Sequence, residues 1–191
     1  AGESALGNLV ADAQRAATHA DIAFMNPGGL RSDLPAGPIT RADVLTLHPF
    51  ENRLVTLELS GAQIRQILEQ QWPARGGALP RLLKTSGLYY AWDPSRPPGS
   101  HVIGACDAQH RPLGAAMRYR VTVNDFLSGG GDGFTALKEA AKPEVGPLDA
   151  EALEEYFRSH AEPIDAHTEG RILRSDSGSA LPCALKEPPA P

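Results

Sequence analysis

Cysteine is nearly missing from this sequence. Cys106 and Cys183 are the only two in 191 residues, and they lie far apart. No C-x-x-C zinc or redox motif exists, and no disulfide-rich scaffold is open to the chain. The two read as unrelated thiols, and a bond between them would need an oxidising compartment. Long apolar runs are also lacking: none approaches the roughly 18 residues of a membrane span. Positive charge is in deficit, with 18 Lys and Arg against 23 Asp and Glu, a net charge of −5 and a pI of 5.7. A groove that tracks nucleic-acid phosphates needs a basic face, so no polymeric nucleic-acid partner is expected. A single bound nucleotide needs only one or two local cations. The common catalytic signatures are missing too. There is no H-E-x-x-H, no G-x-S-x-G, no Gly-Lys-Ser/Thr phosphate loop and no helix opening from a G-x-G-x-x-G.

What is present suits a globular domain. Hydrophobic residues make up 41% and charged residues 21%, which is ordinary for a packed core. Residues 1–174 carry regular patterns. Residues 175–191 hold Ser, Gly and four prolines, and are expected to be a tail that cannot bury enough apolar surface to order itself. The chain opens on Ala1 straight into a helical pattern, so no signal peptide is expected within it, and a preceding segment is expected to have been removed.

Ser4 to His19 carries apolar residues at helical spacing, as do the stretches after Thr40 and after Ser60. Asp21 to Met25, Leu54 to Leu59 and Tyr119 to Val123 read as strands. Leu88 to Trp92 and His101 to Ala105 read as a strand pair around a proline-rich loop. Residues 74–79 read as a loop, and helices are expected near Thr135–Ala140 and Asp149–His160. Arg171 to Leu173 reads as a last strand. Hairpins mixed with crossovers imply an α+β layered domain with a mixed sheet rather than a doubly wound one.

Two glycine-rich turns each follow a strand. One is Asn26-Pro27-Gly28-Gly29-Leu30-Arg31, and the other runs from Asn124 through Phe126, Gly131 and Asp132 to Phe134. Glycine lets backbone approach a ligand and permits positive φ. Asn and Asp can hydrogen-bond a base or a ribose, and Arg31 offers a fixed fork for an anion. Solvated tight turns would carry the same residues. Phe50, on the His48-Pro49-Phe50-Glu51-Asn52 bend, is either a core plug or a stacking platform. Phe126, also on a loop, could complete a slot for a flat ring, each stacked face contributing roughly 1–3 kcal/mol. Asp165-Ala166-His167 has the spacing of a metal-ligand pair, but no second cluster accompanies it as two-metal chemistry requires. Asp149, Glu151, Glu154 and Glu155 share one helix and read as a solvated face.

Five segments in order resemble one family. Glu3-Ser4-Ala5-Leu6-Gly7-Asn8-Leu9-Val10-Ala11-Asp12-Ala13, the N-x-G-G-x-R turn from Asn26 to Arg31, Pro49-Phe50-Glu51-Asn52, Asn124 to Phe134, and Gly170-Arg171-Ile172 are similar to the C-terminal, nucleoside-binding domain of bacterial 5′-nucleotidases and UDP-sugar hydrolases. The resemblance spans roughly residues 3–173. It implies that Phe50 and Phe126 sandwich the base and that Asn26 contacts it. Arg31 would lie at the substrate end of the site, and Asp132 would bind the ribose hydroxyls. Gly28, Gly29, Asn124 and Gly131 belong to the same turns. The expected site is thus for substrate, with no catalytic or metal residue in this chain. The resemblance places two divalent metal ions in a separate N-terminal metallophosphoesterase domain of the same polypeptide, and the whole outside the cytoplasm, periplasmic or extracellular. Alternatives are a non-catalytic nucleoside-binding module, or a domain of a 2′,3′-cyclic-nucleotide phosphodiesterase, a UDP-sugar hydrolase or a thiosulfate-pathway hydrolase.

Overall fold

A computed structural model describes residues 2–73, 79–175 and 183. The first helix, α1 (Ala5–Thr18), starts where the Ser4 hydroxyl accepts from the Gly7 amide and ends at His19 in the left-handed region. Strand β1 (Ile22–Met25) follows. Helix α2 (Arg41–Leu47) opens on a Thr40/Asp43 capping box, which satisfies two backbone groups reciprocally. Strand β2 (Arg53–Ser60) runs into α3 (Gly61–Glu69), capped in the same way by Ser60 and Gln63. Then come β3 (Lys84–Ser86), β4 (Leu88–Trp92), β5 (Val102–Asp107) and β6 (Arg118–Asn124). A short helix, α4 (Asp125–Ser128), leads through two 3-10 turns to β7 (Ala141–Leu148), α5 (Asp149–Ser159) and β8 (Ile172–Arg174).

The strands form two mixed sheets. The larger has the order β3-β1-β6-β2-β7, and the smaller β5-β4-β8. In the larger, β1 and β6 are parallel, whereas β2 is antiparallel to β6 with Leu54 opposite Asn124. Side chains alternate across that sheet as the period of two demands. Ile22, Phe24, Val55, Leu57, Leu59, Val121 and Val123 face one core, shared with α3 and the smaller sheet. Met25 faces the other core, among Leu9, Val10, Val44, Leu47 and Leu153 of α1, α2 and α5. The α+β layered, mixed-sheet architecture is the one the sequence implies.

Two strands were not expected. Strand β3 is three residues long, and β7 carries Pro143, Gly146 and Pro147 with no alternation. Both are outer strands of the larger sheet, where a proline need not donate to a neighbour. The expected helix at Thr135–Ala140 is a 3-10 turn over Thr135–Glu139. Cys106 and Cys183 are free, yet their side chains hydrogen-bond, so they are not unrelated. Burial and this neighbour push the Cys106 thiol up. Residues 74–78 of the expected loop, and all of the expected tail except Ser175 and Cys183, lie outside the described residues. No helix among the described residues is long and apolar enough to cross a membrane.

Candidate functional site

Three loops meet at one end of the larger sheet. Because β1 and β6 run parallel, the turns after Met25 and after Val123 leave side by side at their carboxyl ends, a preferred place for ligands in open sheets. Because β2 runs the other way, the segment entering it, Pro49 to Asn52, arrives at that same end. A cavity of about 380 Å³ opens there, lined by Asn26, Gly28, Gly29, Phe50, Asn52, Phe126 and Asp132. That volume lies in the range of small-molecule sites.

Two walls are aromatic. Phe50 is 54% exposed and Phe126 48% exposed. Neither is a core plug, and each leaves a ring available to a flat ligand. Phe126 rests on bare backbone: a Cβ at Gly131 would come within 2.5 Å of its ring. Phe50 is followed by Glu51, whose φ of 51° lies in the left-handed region. The guanidinium of Arg31 sits over the Phe50 ring, 5.9 Å from its centroid, close enough for a cation–π contact. Its Nη1 also donates to the Gly28 carbonyl at 3.4 Å.

The floor is a chain of amides. Asn124 Oδ1 accepts from the Leu127 amide at 2.9 Å, which caps α4. Asn124 Nδ2 donates to Asn26 Oδ1 at 3.0 Å, and Asn26 Nδ2 donates to Asp132 Oδ2 at 2.8 Å. Asn124 and Asn26 are buried, and such groups need these partners. The chain ends on Asp132, the one charged side chain among the described residues that line the cavity. Asp132 sits at φ 55° between Gly131 and Gly133, a conformation Asp tolerates better than most residues.

The structure therefore brings together all nine residues singled out in the sequence, in three roles. Gly28, Gly29, Phe50, Phe126 and Asp132 line the cavity beside Asn26. Asn124 and Gly131 support it from behind, and Arg31 stands at the Phe50 wall. Two neighbours were missed. Asn52 lines the cavity while its amide lies 3.5 Å from Asp149. Arg81 reaches Asp132 from the segment before β3. Asn52 lay in a motif already singled out, whereas nothing near Arg81 in the sequence marked it.

The acidic-face reading of α5 holds for Glu151 and Glu155 but needs correction at Glu154, which is 10% exposed and paired with Arg41 and Arg158, and at the first residue. Asp149 is buried, with Oδ2 3.5 Å from Nδ1 of the equally buried His48. Desolvation raises the Asp149 carboxyl to about 6 and lowers His48 to about 4, so both sit neutral near pH 5. The Asp165 and His167 pair does not converge: His167 Nδ1 turns to the Asp165 carbonyl at 2.8 Å. Among the described residues no three His, Cys, Asp or Glu side chains come together to hold a metal ion. A dinuclear centre finds no donor set in them. A wider cleft of about 1080 Å³ lies between the start of α1 and the loops around Pro35 and Pro163. Of its titratable groups, Asp33 comes from one loop and His160 and Glu162 from the turn after α5, and His160 lies 2.7 Å from the Tyr156 carbonyl.

Comparison with known proteins decides the family. Residues 1–139 match the model of the 5′-nucleotidase, C-terminal domain. The chain belongs to that family. Its fold superposes on a 5′-nucleotidase precursor from Thermus thermophilus with a TM-score of 0.80, at 40% identity over 90% of this chain and 35% of that one. Endonuclease YhcR of Bacillus subtilis (strain 168) is 36% identical over 92% of this chain and 14% of its own length. The trifunctional nucleotide phosphoesterase protein YfkN of the same strain is 34% identical over 89% of this chain and 12% of its own length. This 5′-nucleotidase-type domain thus spans about a third or less of each of these three proteins.

Proposed function

We propose that this chain is the substrate-recognition domain of a secreted or periplasmic, metal-dependent 5′-nucleotidase. It binds the nucleoside part of a nucleotide while another domain of the same polypeptide cleaves the phosphate ester. One observation carries the reading: two large aromatics, each about half exposed, flank a cavity whose floor presents a fixed carboxylate. Exposed aromatics with no core role mark interaction sites. Phe50 and Phe126 stack on the faces of the base. Asp132 accepts from the ribose hydroxyls, and Arg31 offers a cation to the anionic end of the ligand. Divalent ions held by another domain of the same polypeptide would supply the activation of water for attack on phosphorus, while this chain's residues bind and orient the nucleoside. The names of the Thermus and YfkN relatives, a nucleotidase precursor and a nucleotide phosphoesterase, agree with this substrate class.

The test is ligand-observed NMR of this chain with adenosine, uridine and ribose 5-phosphate. Saturation transfer to the base protons of both nucleosides is expected, with little to ribose 5-phosphate, at affinities on the order of millimolar. Phe50→Ala or Phe126→Ala is expected to weaken nucleoside binding by roughly 1–3 kcal/mol and leave the fold intact. Unchanged binding in both variants would remove the stacking slot, and no transfer to any of the three ligands would remove nucleoside recognition by this chain.

A further inference from the structure

We propose that Arg81 is a positioning residue for the Asp132 carboxylate and thereby sets how strongly the site selects for ribose hydroxyls. The proposal rests on the nucleoside reading above.

Asp132 is held on two sides. Asn26 donates to its Oδ2 at 2.8 Å. Arg81 approaches from the opposite part of the chain: Nη1 donates to the Asp132 main-chain carbonyl at 3.0 Å, and Nε lies 3.7 Å from Oδ1. One guanidinium therefore holds both the backbone of a left-handed residue between two glycines and the carboxylate oxygen that Asn26 leaves free. Arginine suits this work because its donors are fixed in one plane.

The arm that carries Arg81 is itself anchored. The Arg81 amide donates to the Gln71 carbonyl at 2.9 Å. Two residues on, the Leu83 amide donates to Gln71 Oε1 at 2.7 Å, and the Tyr90 hydroxyl donates to the same oxygen at 3.0 Å. Gln71 is fully buried. Its neighbour Gln70 ties down the far side of the glycine turn, accepting from the Ala136 amide at 3.2 Å and donating to the Thr135 hydroxyl at 3.0 Å. The end of α3 thus fixes Arg81 and the turn it grips relative to each other.

A vicinal diol offers two donors to a carboxylate, and both bonds form well only when the carboxylate plane is held facing the diol. With Arg81 removed, Asn26 alone restrains the side chain, and ligand binding must order it. Immobilising one such side chain changes affinity by roughly three- to tenfold. The effect is confined to ligands that carry the diol, because Phe50 and Phe126 stack on the base whatever the sugar.

The experiment compares adenosine with 2′,3′-dideoxyadenosine by NMR titration of the wild type, Arg81→Met and Arg81→Lys. Methionine keeps the stem and loses every donor, and the side chain is about half exposed, so the fold tolerates it. The wild type is expected to prefer adenosine. Arg81→Met is expected to lose roughly three- to tenfold for adenosine and less than about twofold for the dideoxynucleoside. Arg81→Lys recovers part of the loss. Equal losses on both ligands would make Arg81 a merely structural residue, and no loss on either would leave it without a role; each overturns the proposal. A wild type that binds both nucleosides equally would instead overturn the ribose role of Asp132. One that binds neither would overturn the nucleoside reading itself.

Discussion

His48 and Asp149 meet with their charges suppressed. Their nearest atoms are 3.5 Å apart, no hydrogen bond to either His48 nitrogen forms, and both side chains are buried. The folded pKa of His48, about 4, lies below its unfolded value near 6.5. The unfolded chain then binds more protons, and His48 costs stability as pH falls from 6.5 to 4. The folded pKa of Asp149, about 6, lies above its unfolded value of 3.8. The folded chain then binds more protons, and Asp149 adds stability over nearly the same fall. The two effects oppose, each worth about 3 kcal/mol at full extent. Thermal melts from pH 7 to pH 4 should separate them. Asp149→Asn should lose ground to the wild type on acidification, and His48→Gln should gain on it. Parallel curves for all three proteins would show that neither group is shifted. The sequence placed Asp149 with Glu151, Glu154 and Glu155 because helical spacing joins them. Spacing cannot show that the first residue of α5 turns back beneath the loop that carries Phe50, where the Asp149 amide donates to the Asn52 carbonyl at 2.9 Å. Phe50 was undecidable for a similar reason, since exposure on a loop is set by what packs around it.

Helix α1, β3 and the start of β8 are tied by one ionic knot. Asp12 on α1 takes two bonds from Arg171, both 2.8 Å, and accepts from Ser86 of β3 at 2.6 Å. Arg171 also donates to the Thr85 carbonyl, and Arg15 donates to the Ser86 hydroxyl. Arg171 is buried and keeps a second carboxylate, Glu169, at 3.0 Å, so removing Asp12 takes away its bidentate partner without leaving the charge unpaired. Asp12→Ala is expected to lower stability by about 1–3 kcal/mol, and an unfolding free energy within about 0.5 kcal/mol of wild type would deny the knot that role. Here Arg171, which the sequence marked only as part of a motif, has a structural task far from the cavity. The knot also explains why β3 escaped notice. Lys84-Thr85-Ser86 has no apolar pattern, and the polar partners that hold it come from both ends of the chain. Strand β7 escaped because its prolines and glycine deny it the usual strand signature, which an edge position tolerates. Helix α4 was missed as well, since its four residues, Phe126 among them, read as a loop; the other helices and strands were legible because their apolar spacing matches the faces they bury and Ser4, Thr40 and Ser60 cap where three of the helices begin.

Over the whole molecule, the proposed function separates recognition from hydrolysis. The candidate site needs only one sheet end and three loops, and its Asn, Gly and Asp turn residues were readable because turn chemistry is local in sequence, although the exposure of Phe50 was not. Arg81 was not readable, because its link to Asp132 joins residues 51 apart in sequence. A two-metal phosphoesterase centre needs several carboxylates and imidazoles within a few ångströms of one another. Among the described residues the acidic and histidine side chains are instead dispersed or already engaged. Glu154 pairs with Arg158 and Arg41, Glu69 accepts from the amides of His101 and Val102, and His48 is buried and neutral. This chain alone, supplied with Mn²⁺ or Zn²⁺, is therefore expected to show no release of phosphate from AMP or UMP above a metal-only blank, even where it binds adenosine. The measurement is phosphate release from a sample whose Asp132→Ala variant is prepared in parallel. Metal-dependent turnover that falls with the variant would place hydrolysis within this chain and undo the division of labour proposed for it. Turnover indifferent to Asp132 would point to a contaminating phosphatase, because a site that reads the ribose through that carboxylate cannot lose it without consequence.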